Sequence, residues 1–143
     1  GIRKLTFEEQ LPAPTARVWD VLLGQYGSWC LPFGQGMHWT GKLKMGERVH
    51  LLDSHGEGYY SDITAMTEGK QITFTHVGMV KNGKEQPIDE ESVQWTGCTE
   101  SFTLTEVPEG TKIRVEVDTT ADAVEHMERV YPLALKELKT LLI

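Results

Sequence analysis

The chain has little cysteine, no long apolar run and no cluster of positive charge, and each shortage removes a class of function. Its two cysteines, Cys30 and Cys98, lie far apart. They fit neither a disulfide framework nor the paired spacing of a zinc site or thioredoxin-type motif, and buried free thiols are the expectation. Apolar stretches such as the one around Val18 to Leu23 fall far short of the roughly 20 residues that cross a bilayer. The first residues, Gly-Ile-Arg-Lys-Leu-Thr-Phe-Glu-Glu, alternate like a strand and carry no apolar signal core, which makes the cytoplasm the expected location. The 14 lysines and arginines stand against 21 acids for a net charge of −7, and no basic cluster could neutralise successive phosphates. Nucleic acid is therefore an unfavoured partner. There is also no repeat, no low-complexity linker, no glycine-rich phosphate loop and no nucleophile elbow.

What is present is the material of one globular unit. A chain of 143 residues, 39% hydrophobic and 24% charged, has an ordinary soluble composition. A domain of roughly 150 residues buries about 68–70% of its unfolded surface, enough for a core or a core with a pocket. A single domain over residues 1–143 is the expectation.

Residues Ile2 to Gln10 read as a first strand. Ala13-Pro14-Thr15 then opens a helix with proline at its first position, where the missing N–H costs nothing. Val18, Trp19, Leu22 and Leu23 give that helix an apolar face, and a second short helix is expected from Ser28 to Leu31, stopped by Pro32. From Gly46 onward, turn residues punctuate alternating runs: Glu47 to Asp53, Glu57 to Met66, Gln71 to Val77, Cys98 to Val107 and Thr111 to Thr119. That spacing predicts an antiparallel meander. Its clearest member sets Ile113, Val115 and Val117 on one face and Lys112, Arg114, Glu116 and Asp118 on the other. Between Lys81 and Ser92 the polar sequence reads as a protruding loop.

The strongest period lies at the end. Val124, Met127, Tyr131, Ala134, Leu135, Leu138, Leu141 and Leu142 recur every three or four residues, predicting one long helix from Asp122 to Leu142 with a single apolar stripe. Thr119 with Asp122 is a candidate capping pair, and Pro132 should bend the helix.

Among residues able to carry chemistry, His76 stands out because alternation puts it on the face of Ile72 and Phe74. It can orient a ligand or act as general base there, or be a hydrogen-bonded core histidine. Tyr60 would offer a phenol beside it if it faces inward, although the pattern of Gly58 to Met66 leaves that orientation open. His50, Asp53 and His55 could gather a metal only across a turn at Ser54 to Gly56, so no metal site is expected. Trp19, Trp29, Trp39 and Trp95, with Phe33 and Met37, can line an adaptable pocket or form plain core.

Several strings in order resemble one family. They are Pro14-Thr15-Ala16-Arg17-Val18-Trp19, Leu43-Lys44-Met45-Gly46, Phe74-Thr75-His76-Val77-Gly78, Glu100-Ser101-Phe102-Thr103-Leu104, Gly110-Thr111-Lys112-Ile113, and Tyr131 through Lys139. Together they resemble the START-like, or SRPBCC, superfamily, in the bacterial branch similar to the C-terminal domain of activators of heat-shock chaperone ATPase. The resemblance implies an α+β helix-grip fold, with about six strands curved around a long C-terminal helix and two short helices after the first strand. It implies a hydrophobic cavity between sheet and helix for lipids, sterols, polyketides or other apolar molecules. Many relatives place Trp near the position of Tyr131, and the superfamily has no universal catalytic residue or cofactor to transfer.

The resulting expectation is a binding protein for a small apolar or amphipathic molecule, with Trp29, Trp39, Tyr60, Phe74, His76, Phe102, Met127 and Tyr131 as candidate ligand-binding residues. A cyclase or dehydratase using His76 as acid or base is the first alternative, and a chaperone-interacting module the second. Either a monomer or a homodimer is compatible with the sequence.

Overall fold

The computed structural model describes residues 1–143. The first strand, β1 (Ile2–Leu11), leads into helix α1 (Thr15–Gly24) and the single-turn helix α2 (Tyr26–Trp29). Strands β2 (His38–Thr40), β3 (Arg48–Leu52), β4 (Gly58–Thr67), β5 (Gln71–Lys81), β6 (Lys84–Glu85), β7 (Thr99–Val107) and β8 (Gly110–Thr120) follow, and α3 (Val124–Leu141) closes the chain. The strands form one antiparallel sheet in the order β1-β8-β7-β5-β4-β3-β2, with β6 paired to β5. The sheet curves around α3, which packs on β1, while α2 packs on α3 and β2 and α1 packs on β7 and β8.

Eight strands rather than about six make the sheet. The two unforeseen ones are very short. His38–Thr40 is too brief to show a period, and Lys84–Glu85 lies in what reads as a polar loop. The start of that loop is instead a hairpin, because Asn82 (φ 53°) and Gly83 (φ 75°) both take the left-handed conformation of the tight turn that matches strand twist. The second helix also sits earlier than expected, at Tyr26–Trp29 rather than Ser28 to Leu31. Pro14 caps α1 with extended backbone (ψ 154°) instead of occupying its first turn. α3 begins at Val124 behind a tight turn at Ala121–Ala123, and no side chain caps it, so Thr119 and Asp122 do not act as the expected pair.

The core fills the groove between the sheet and the helices. Val130, Tyr131, Ala134, Leu135 and Leu138 of α3 are buried against Ile72, Phe74, Phe102, Ile113 and Val115 of the sheet and against Val18, Leu22 and Trp29 of the short helices. Trp29 stands edge-on to Phe102, and its indole N–H donates to the Leu22 carbonyl at 2.9 Å, so a large ring is buried without a stranded donor. A second, smaller cluster of Leu52, Tyr60 and Val80 lies apart from this core, with Val77 packed on it.

β4 and β5 are irregular where it matters. Tyr60 pairs with Gly78 but Ser61 with His76, so one extra residue on β5 breaks the register. Such a bulge twists the strand and changes which side chains face inward. Before it, Ile72, Phe74 and His76 face the groove; beyond it, Met79 faces the groove and Val80 the outer cluster. Gly78 is required there, since a Cβ would lie 2.6 Å from the Tyr60 hydroxyl.

Candidate functional site

The groove is packed solid through its middle and opens at one end. There a cleft of about 320 Å3 lies between the first turn of α3 and the ends of four strands. β4 contributes Gly58 and Tyr59, β5 His76 and Met79, β7 Glu100 with Cys98 just before it, and β8 Val117 and Asp118, with Trp95 and Met127 closing the sides. The volume falls within the range of small-molecule pockets, about 300–1,000 Å3. No lysine or arginine lines it.

The candidate residues divide among several places. His76 and Met127 lie on the cleft. Trp29, Phe74 and Phe102 are fully buried core, and Trp39 stacks on Phe74 with centroids 4.5 Å apart. Tyr131 is also buried, stacked on Phe7 at 4.9 Å, and meets the cleft only through the hydroxyl it donates to Glu100. Tyr60 faces the opposite side of the sheet, where it donates to the Gln86 carbonyl at 2.9 Å beneath the Arg48 guanidinium. The phenol beside His76 is that of Tyr59, at a centroid distance of 4.7 Å. Alternation over Gly58 to Met66 could not decide this, because the register shifts twice within that strand.

His50, Asp53 and His55 have other partners. His50 bonds to Glu85 at 2.7 Å, and Asp53 accepts the backbone N–H groups of His55 and Glu57 in a local turn.

His76 is half-buried and its Nδ1 lies 2.7 Å from the Ser61 hydroxyl. Ser61 is fully enclosed and its hydroxyl has no other partner, so it donates to Nδ1; the reverse assignment would strand a buried donor. The histidine proton then sits on Nε2. Burial holds the imidazole neutral, pulling its pKa down to about 4 against a weaker opposing pull from Asp118. At neutral pH His76 is therefore an uncharged donor.

Glu100 is the residue that sequence reasoning missed. It is only 6% exposed, its carboxylate accepts the Tyr131 hydroxyl, and burial raises its pKa against the opposing effect of that bond. The second oxygen, Oε1, has no partner in the protein. Trp39 Nε1 is the only fully enclosed side-chain polar atom without one, so Oε1 opens onto the cleft. Tyr26, Cys30 and Tyr59 surround the carboxyl, and burial pushes each of these groups above its ordinary pKa. A signal for Glu100 existed in the strand period, which places it in phase with Phe102 and Leu104 on the covered face. Asp118 differs from Glu100 in being paired: it accepts from Thr99 and meets Lys4 at 2.9 Å.

The same architecture recurs in solved structures. The Aha1 dimer from Colwellia psychrerythraea superposes with a TM-score of 0.74 at 19% identity, covering 98% of this chain and 96% of that one. The chain has an SRPBCC-like fold. A protein from Mesorhizobium loti, MLL2253, gives 0.76 at 19% identity over 98% and 96%. DynU16, from the dynemicin biosynthetic locus, gives 0.71 at 13% identity over 97% of this chain and 46% of its own. No family model matches the chain, and no curated relative matches it. At these identities the likeness concerns the SRPBCC-like architecture alone. No helix is long and apolar enough to cross a membrane.

Proposed function

We propose that the protein binds a small amphipathic molecule in the cleft between β4, β5, β7, β8 and the start of α3. One observation carries this: apolar walls from Met79, Trp95, Val117 and Met127 meet polar groups of Tyr59, His76 and Glu100 whose Oη, Nε2 and Oε1 have no protein partner. Burial of the ligand's apolar body supplies affinity at about 25 cal/mol per Å2 before ordering costs, and the polar atoms set its orientation. DynU16, with the same fold, lies in the dynemicin biosynthetic locus, and a ligand-binding role is in keeping with that setting.

Displacement of an environment-sensitive dye, read together with quenching of Trp95 at the cleft wall, tests the proposal. Binding should be saturable and lost when Met127→Arg fills the opening. A purified protein that carries nothing and binds no apolar probe would rule it out.

Catalysis with His76 as acid or base has one observation in its favour, the free Nε2 on the cleft wall. Tyr60 is on the other face, leaving Tyr59 to serve as the second polar group. For protein partners, a second copy has the dimeric Aha1 structure behind it, and sedimentation velocity decides the matter. A chaperone would need a gathered apolar patch, whereas the exposed Ile2, Leu31, Met45, Ile88, Val93, Leu133 and Ile143 come from β1, three connections, α3 and the last residue.

A further inference from the structure

Glu100 is a poorly compensated charge site. Buried carboxylates are ordinarily paired with a cation or held by several donors, because an isolated charge in an apolar surround is costly. Glu100 has one phenol as donor, and the groups around it are Tyr26 of α2, Cys30 just after that helix, Tyr59 of β4 and Tyr131 of α3. None is cationic. Of the other titratable groups on the cleft, His76 is neutral and Asp118 is already matched by Lys4 outside it. The unpartnered oxygen of Glu100 thus faces a cavity walled by the rings of Tyr59 and Trp95, whose centroids are 6.4 Å apart. Aromatic faces beside a carboxylate attract ammonium groups.

We propose that the ligand of this cleft is an organic cation, a protonated amine on an apolar body, with the Glu100 carboxylate as its counter-ion and Tyr59 and Trp95 against its charged end. This rests on the small-molecule reading above and narrows it. Fatty acids and other carboxylates are disfavoured, since no lysine or arginine lines the cleft to receive their charge. Burial favours the protonated acid in the empty cleft and a bound ammonium favours the carboxylate, so binding the cation releases protons to solvent wherever Glu100 is partly protonated beforehand. Affinity for the amine rises with pH as Glu100 ionises, until the amine itself loses its proton.

Three probes with one apolar body make the test: 4-phenylbutylamine, 4-phenylbutanol and 4-phenylbutyrate, titrated calorimetrically in two buffers of different ionisation enthalpy. The amine should bind at least about tenfold more tightly than the alcohol, with the carboxylate weakest. Its affinity should climb as pH rises above the ordinary carboxylate range while that of the alcohol stays flat. Glu100→Gln should reduce the amine to the level of the alcohol; should that variant not fold, the pH dependence and proton release of the unaltered protein still decide. An alcohol or carboxylate that matches the amine overturns the proposal, as does an amine preference that survives in folded Glu100→Gln. If the alcohol binds without an amine preference, only this inference falls. If none of the three binds and Trp95 fluorescence is unchanged, the binding function falls with it.

Discussion

Lowering the pH should unfold this protein partly through His76, and the size of the effect can be worked from its surroundings. The imidazole is neutral in the fold with a pKa of about 4, against about 6.5 for an unfolded histidine. The folded state therefore binds fewer protons than the unfolded one. Stability from this group is fully present above about pH 6.5 and is lost as pH falls toward about 4. Linkage gives a loss of about 2 kcal/mol between pH 7 and pH 5, and about 3 kcal/mol by pH 4. Glu100 works in the opposite direction, because its raised pKa favours the protonated folded state as pH falls. Comparison with His76→Gln isolates the histidine, since the amide oxygen can still accept from Ser61 and nothing titrates. Urea unfolding of both proteins at pH 7 and pH 5 should show their stability difference shifting by about 2 kcal/mol in the variant's favour at the lower pH. Parallel losses over that range would show that His76 is not held neutral by burial.

Other perturbations probe the packing. Leu138→Ala removes a fully enclosed side chain from the α3 seam and should cost about 2–5 kcal/mol in denaturant unfolding, whereas a cost below about 1 kcal/mol would mean the seam is not core. Tyr131→Phe keeps the stack on Phe7 but removes the only donor to Glu100; a loss of about 1–3 kcal/mol is expected, and it should largely vanish in a Glu100→Leu background. Gly78→Ala puts a Cβ against the Tyr60 ring and should cost about 1–3 kcal/mol by thermal melting, with Tyr60→Ala in the same chain relieving part of it.

The antiparallel meander and the long closing helix were visible because they rest on periods long enough to read. The α3 stripe repeats over eighteen residues, and β8 alternates over eleven, so each commits one face to the core whatever its neighbours do. The short helix α2 and the strands β2 and β6, at four, three and two residues, offer no such repeat, and their positions follow from turns and cross-strand pairing. The same limit governed the site. His76 lay in phase with Ile72 and Phe74 and could be picked out, but the extra residue on β5 and the shifts along β4 brought Tyr59 to it and sent Tyr60 to the far side.

Sequence alone determined that one sheet face and one helix stripe would be apolar, and that a histidine would share the covered face. Only the tertiary structure decided that Trp29, Phe74, Phe102 and Tyr131 fill the middle of the groove, leaving space at the end where α3 begins. It alone decided that Glu100 lies buried there without a cation. Periodicity records which way a side chain points, whereas the volume left over and the charge left unpaired depend on residues from five elements meeting in space.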